Sequence, residues 1–238
     1  MIYPLAPLRL LTILTLLLTA AACTDDTDNR DTDVTDNAVK ERISIPVVDE
    51  DKKAILFFGD SLTEGYGLDE DEAYPALIQD KLDSLGYEAY EVVNAGLSGE
   101  TSAGGKARVG WAIEQGVDIF VLELGANDGM RGIAPAATYD NLSAIIDSVQ
   151  ARHPEAKIML AGMLALPNMG HRFEQQFNDV FPRLARAKSV DAFLPFLLED
   201  VAAEPTLNLE DGIHPNKAGQ RIVARNVWAV LEPLLERG

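Results

Sequence analysis

An α/β domain with a parallel sheet covered by helices on both faces is the fold this sequence predicts, and three observations predict it. From about Lys53 onward, short apolar runs alternate with longer segments of helical spacing. Most of the short runs are predominantly apolar, as strands buried on both faces are, instead of alternating regularly with polar residues. The segments between them are long enough for the crossover helices that parallel neighbours need.

In order, Ala54 to Phe58 (Ala-Ile-Leu-Phe-Phe) reads as a buried strand bounded by Gly59. Tyr74 to Leu85 carries Leu77, Ile78, Leu82 and Leu85 at helical spacing and stops at Gly86. Ala89 to Val93 is the second strand, and Thr101 to Gln115 a helix ending at Gly116, its start weakened by Gly104 and Gly105. Ile119 to Leu124 is the third strand, Tyr139 to His153 a helix stopped by Pro154, and Lys157 to Ala161 the fourth strand. Phe173 to Lys188 reads as a helix interrupted at Pro182. Val190 to Phe193 is a short fifth strand, Phe196 to Ala203 a short helix and Lys217 to Leu235 the closing helix. With no internal repeat and no second core, one domain over residues 53–238 suffices.

The first 52 residues differ in kind. Arg9 is the only charged side chain before Asp25, and Leu10 to Ala22 is apolar apart from three threonines. That run is too short to span a bilayer comfortably but fits a signal-peptide core. Ala20, Ala21, Ala22 and then Cys23 resemble the end of a bacterial lipoprotein signal, which implies removal of residues 1–22 and lipidation of Cys23. Ala20 stands where such signals usually carry Leu, and the basic segment ahead of the core is thin. Thr24, not Asp, follows the cysteine, which points weakly to outer-membrane delivery facing the periplasm. Asp25 to Asp51 is dominated by Asp, Thr and Asn and has no glycine, so it reads as a flexible acidic tether and not a calcium loop.

Composition narrows function. The chain has 38 acidic against 20 basic residues, a net charge of −18, which disfavours a nucleic-acid partner and attraction to anionic headgroups. One cysteine excludes an internal disulfide framework and a thiolate zinc site, and three histidines leave little for a histidine-rich metal centre. No metal and no cofactor is expected. A monomer is the expected state, with the membrane reached only through the N-terminal anchor.

Ligands of such sheets bind beyond the C-terminal ends of the strands. Four polar, glycine-containing segments fall there: Gly59-Asp60-Ser61-Leu62, Asn94-Ala95-Gly96-Leu97-Ser98-Gly99, Gly125-Ala126-Asn127-Asp128-Gly129 and Asp211-Gly212-Ile213-His214-Pro215. Ser61 sits where strand one turns into a helix, a place that exposes its hydroxyl and favours negative charge. His214 has Asp211 three residues earlier, a spacing that lets the carboxylate hold Nδ1–H and leaves Nε2 as a base. Ser61 N–H, Gly96 N–H and the Asn127 amide lie where they can converge on an oxyanion. Each residue also has a structural reading: an N-cap for Ser61, a solvated loop histidine for His214, a glycine at positive φ for Gly96 and a turn former for Asn127. His153 and His171 lack an acidic partner at that spacing and read as structural or surface residues. Asp128 reads as a loop-ordering group and Arg131 as a loop salt-bridge cation or a contact for an anionic headgroup.

The four segments, in this order, resemble the blocks of the SGNH (GDSL) hydrolases over essentially all of Ala54 to Leu235. Asn94-Ala-Gly-Leu-Ser-Gly-Glu-Thr-Ser102, Leu122-Glu-Leu-Gly-Ala-Asn-Asp-Gly-Met-Arg-Gly132 and Asp211-Gly-Ile-His-Pro-Asn216 are similar to the bacterial periplasmic branch with multifunctional thioesterase, lysophospholipase and arylesterase activity. The resemblance implies a three-layer α/β/α, flavodoxin-like sandwich with a parallel sheet of about five strands. It implies Ser61 as nucleophile, His214 as base, Asp211 as its orienter, and an oxyanion hole of Ser61, Gly96 and Asn127. The substrates it implies are acyl esters or lysophospholipids. In Leu164-Ala-Leu-Pro-Asn-Met-Gly170 the chain departs from that branch: Leu166 and Met169 stand where a proline and an aromatic are usual in a substrate-side loop, with Asn168 between them. Chain-length preference is what this departure touches. The rival readings are a carbohydrate or other specialised O-deacetylase and a non-catalytic lipid-binding lipoprotein on the same scaffold. A nucleotide-binding protein is disfavoured, because Asp60 and Glu64 occupy the first loop where phosphates would lie and no Lys is present there.

Overall fold

The computed structural model describes residues 48–49 and 51–237. The expected signal, the Cys23 lipidation site and nearly all of the tether lie outside the described residues. Five strands form one parallel sheet: β1 Lys53–Gly59, β2 Tyr90–Gly96, β3 Ile119–Glu123, β4 Lys157–Ala161 and β5 Ala192–Leu194. Their order is β2-β1-β3-β4-β5, the doubly wound order whose direction reverses between β1 and β3. β1 and β3 are buried along almost their whole length, which explains the apolar runs Ala54 to Phe58 and Ile119 to Leu122.

Among the described residues, eight α-helices surround the sheet: α1 Ser61–Glu64, α2 Tyr74–Ser84, α3 Ser102–Ala112, α4 Ala126–Met130, α5 Pro135–Arg152, α6 His171–Asn178, α7 Val180–Lys188 and α8 Lys217–Leu231. α2 packs with α8, while α3 packs with α5 and α5 with α7. Right-handed crossovers put these two groups on opposite faces, because the chain moves outward from β1 to β2 and then back across the sheet to β3. The product is the expected three-layer α/β/α sandwich.

Three expectations need correction. The segment 196–203 is not a helix but a chain of turns, with Asp200 and Ala203 at φ 63° and 62°. Left-handed residues end helical bonding wherever they occur. The stretch from 173 to 188 is two helices, and the break falls at Asp179, not at Pro182. Pro182 lies in the first turn of α7, where a missing N–H loses no bond. α5 begins at Pro135, four residues before its first expected position, with the proline at the first helical turn. No helix among the described residues is long and apolar enough to cross a membrane.

Candidate active site

The ends of β1, β2 and β3 hold three of the segments at one edge of the sheet, and the loop before α8 brings the fourth to them. β1 ends at Gly59, and Asp60 caps α1 by accepting a bond from Leu62 N–H at 3.0 Å. Ser61 is therefore the first helical residue and not the cap. Its residue is only 8% exposed, and its hydroxyl donates to His214 Nε2 at 2.9 Å. On the other side of the ring, Nδ1–H donates to Asp211 Oδ2 at 2.6 Å. Asp211 Oδ1 accepts the backbone N–H groups of Ile213 and His214 at 2.8 and 3.0 Å. Burial raises the Asp211 carboxyl, but the His214 ring and these two N–H groups outweigh it and hold the pKa down at about 2. Asp211 thus stays anionic, which selects the tautomer with Nδ1 protonated and Nε2 accepting.

The loop carrying His214 is anchored by its own backbone. Leu209 N–H donates to His214 O at 2.8 Å, and Asn216 N–H to Leu207 O at 2.9 Å. The Asn216 side chain then caps α8 through Ala218 and Gly219 N–H. The Tyr66 ring lies against the imidazole with centroids 4.4 Å apart.

Gly96 ends β2, paired in register with Gly59. Its need for glycine is close approach, not positive φ, since a Cβ there would lie 2.2 Å from Glu64 N. Gly96 N–H donates to Asn94 Oδ1 at 2.9 Å, and Asn94 Nδ2 in turn donates to Thr63 O. Asn127 lies inside the short helix α4, a segment expected only as a loop. Its Nδ2 donates to Asp60 Oδ2 at 3.2 Å while its Oδ1 accepts from Arg131 at 3.4 Å. Arg131 also reaches Gly99 O at 3.0 Å, so it ties the two donor-bearing loops together. Asp128 is buried and accepts from Ser102 N–H, Ser102 Oγ and Thr138 Oγ1 at 2.8, 2.5 and 3.2 Å. That is the loop-ordering role expected of it.

Beneath Ser61 lies a buried polar set with no motif in the sequence. Glu123 Oε2 accepts from Thr63 Oγ1 at 2.7 Å and Asp60 N–H at 3.2 Å, and Thr63 Oγ1 meets Tyr74 OH at 2.8 Å. Burial, and then the Asp60 charge, push the Glu123 carboxyl well above the usual range. Burial likewise pushes Asp60 up to about 6, against the lowering bonds from Leu62 N–H and Asn127. The two carboxyls share one buried space, so the second charge is strongly disfavoured.

Elsewhere, His153 Nε2 bonds the Ile113 carbonyl at 2.7 Å at the end of α5, and His171 is the exposed first residue of α6. Leu166 and Asn168 are exposed in the loop before α6, and Met169 is half-buried beside Gly132, where an added Cβ would lie 3.5 Å from its Cε. The surface carboxylates of Asp69, Asp71 and Glu72 lie close together, with Glu72 paired to Lys217.

A line of carboxylate, imidazole and hydroxyl at these distances can move a proton off the hydroxyl as its oxygen attacks a carbonyl carbon. Comparison with known proteins agrees with that chemistry. The model of the GDSL-like lipase/acylhydrolase family matches residues 57–222. Esterase TesA of Pseudomonas aeruginosa is 41% identical over 184 residues, covering 77% of this chain and 90% of that protein. The thioesterase 1/protease 1/lysophospholipase L1 of Escherichia coli is 39% identical over 183 residues, covering 76% and 84%. A crystal structure of TesA superposes with a TM-score of 0.73 at 40% identity, covering 77% of this chain and all of that one.

Proposed function

The chain belongs to the GDSL-like lipase/acylhydrolase family and is a carboxylic ester hydrolase, and from that premise we propose that it cleaves acyl esters and thioesters through a covalent acyl-enzyme on Ser61. The observation that carries this reading is the unbroken line from Asp211 through His214 to Ser61, with bonds of 2.6 and 2.9 Å. Ser61 Oγ bonds to the acyl carbon as its proton passes to His214 Nε2. The imidazolium, held by Asp211, then gives that proton to the departing alcohol or thiol oxygen or sulfur. Water enters and loses a proton to the same nitrogen as its oxygen bonds to the acyl carbon; His214 then returns that proton to Ser61 Oγ as the acyl–Oγ bond breaks and the acid leaves.

In each step the carbonyl oxygen becomes an anion. Its donors in this proposal are Ser61 N–H, Gly96 N–H and Asn127 Nδ2–H. Gly96 N–H rests on the neutral Asn94 carboxamide, and an oxyanion is the stronger acceptor that would take it over. Asn127 can keep one N–H on Asp60 and turn the other to the oxyanion, because a carboxamide nitrogen has two. Leu166, Asn168 and Met169 form the substrate-side loop in this reading. The relatives named for esterase, thioesterase and lysophospholipase activities support an acyl-ester substrate class.

The test is hydrolysis of p-nitrophenyl esters from acetyl to palmitoyl by the wild type and by Ser61→Ala. Turnover should fall by roughly 10⁴-fold or more in a variant with native circular dichroism, since the nucleophile is lost. Residual activity near wild type would sink the assignment of Ser61. We also propose export and lipid anchoring through Cys23. Cells fed a clickable palmitate should label the wild type and not Cys23→Ala. Equal labelling of both would sink the anchor.

A further inference from the structure

The structure assigns Arg108, gripped by Glu100, as a positioning residue that holds and polarises the Ala95–Gly96 peptide so that Gly96 N–H serves the oxyanion. This rests on the esterase reading above.

Arg108 stands on α3, and Glu100 lies just before that helix. Their side chains are 8% and 4% exposed. Arg108 Nε and Nη2 fork onto the Glu100 carboxylate at 2.9 to 3.2 and 2.5 Å, and Nη2 also donates to the Ala95 carbonyl at 3.0 Å. The guanidinium lies 4.1 Å from the centre of the Phe58 ring, on the strand next to Ala95. Its Nη1 is buried without a partner.

Stability does not account for this arrangement. A buried ion pair is commonly no better than an apolar pair of the same volume, and an unpaired buried N–H is a net cost. What the pair does achieve is geometric. A trans peptide is planar, with its C=O and N–H pointing in opposite directions. The oxygen that Arg108 holds and the N–H of Gly96 belong to the same peptide. The register with β1 turns that oxygen toward Gly59, and Arg108 adds a second hold on it, so the N–H points away from β1, where Asn94 Oδ1 now accepts it. A cation at the carbonyl also draws electron density towards the oxygen and makes the N–H a stronger donor, as in any chain of coupled hydrogen bonds. Glu100 keeps the guanidinium in that plane, and its negative charge offsets the long-range field of the cation. The effect therefore reaches the site through the peptide.

Arg108→Lys keeps the charge but not the fork, Arg108→Met keeps neither, and Glu100→Gln weakens the grip. Each is compared with wild type by kcat and KM on one p-nitrophenyl ester, by thermal unfolding, and by the rate at which a fluorophosphonate modifies Ser61, whose phosphoryl oxygen must enter the same hole. Loss of a direct oxyanion donor costs about 10²–10³-fold, so loss of its support should lower kcat by about 10- to 100-fold with KM within about threefold. The order expected is wild type, then Lys, then Met, and phosphonylation should slow in parallel. Should Arg108→Met not fold, Arg108→Lys and Glu100→Gln carry the test. A purely structural role would lower the melting temperature and leave kcat of the folded protein unchanged, and that result overturns the inference. Ser61→Ala runs alongside. An active Ser61→Ala removes the esterase reading itself, whereas an inactive one beside an unchanged Arg108→Lys removes only the role of Arg108.

Discussion

Asp60 shows how one carboxylate can serve the site and cost the fold. It caps α1, holds Asn127 Nδ2, and shares its buried space with Glu123. Its pKa is pushed up to about 6, chiefly by burial, against about 3.9 for an unfolded carboxyl. The folded state therefore holds this proton longer than the unfolded one. Its contribution to stability is full below about pH 4 and is lost as pH rises through about 6. Asp60→Asn abolishes that dependence, because a neutral amide keeps the cap on Leu62 and brings no charge. Relative to wild type, the variant should gain of the order of 2 kcal/mol between pH 4 and pH 8. Its turnover should nevertheless fall by at least about tenfold, since Asn127 Nδ2 loses its acceptor and can drift from the oxyanion. Thermal unfolding at both pH values checks the first part and kcat the second. A melting-temperature difference from wild type that is the same at both pH values would show that Asp60 is not the titrating group.

At the scale of elements, what could be read along the chain is what local physics decides. β1, β3 and β4 were legible because a strand covered on both faces is apolar along most of its length, with the charged residues Lys53, Glu123 and Lys157 at the strand ends. The four site segments were legible because each follows a strand end or precedes a helix and the four occur together in one order, since caps and turns alone would account for any one of them. Contacts between distant segments left no trace. Nothing around Arg108 announces that it will hold the Ala95 carbonyl, and Tyr66 gives no sign that it will lie on His214. Propensity alone does not account for two segments. Gly104 and Gly105 appear to weaken the start of α3, yet a Cβ on Gly105 would stand 2.3 Å from Leu124 Cδ1. The glycine is what lets α3 lie close enough to the sheet for Arg108 to reach the end of β2. The turns at 196–203 were missed for the opposite reason, as Asp200 and Ala203 take left-handed conformations with no glycine to signal them.

The molecule as a whole is acidic, with a net charge of −18, yet its exposed large apolar side chains are not scattered. Among the described residues they are Tyr66, Leu85, Met130, Leu164, Leu166 and Ile213. All but Leu85 lie in segments at the C-terminal edge of the sheet: Tyr66 after α1, Met130 at the end of α4, Leu164 and Leu166 after β4, and Ile213 beside His214. An apolar rim on an otherwise charged surface marks where uncharged substrate is accepted. In the proposed reading an acyl chain leaving the carbonyl carbon at Ser61 runs outward over this rim, so rim contacts increase with chain length and are absent for acetate. Replacing Leu164 and Leu166 together by Ser removes apolar contact worth about 1 kcal/mol for each partly covered side chain. The expected outcome is a fall of about tenfold or more in kcat/KM for a decanoyl ester and little change for an acetyl ester. Because in the proposed mechanism both esters meet the same Ser61, His214 and oxyanion donors, their ratio isolates the rim from the chemistry. Equal losses on the two esters would mean that the loop supports the site as a whole. An unchanged ratio with unchanged rates would place the acyl path elsewhere on the edge, towards Tyr66 and Ile213.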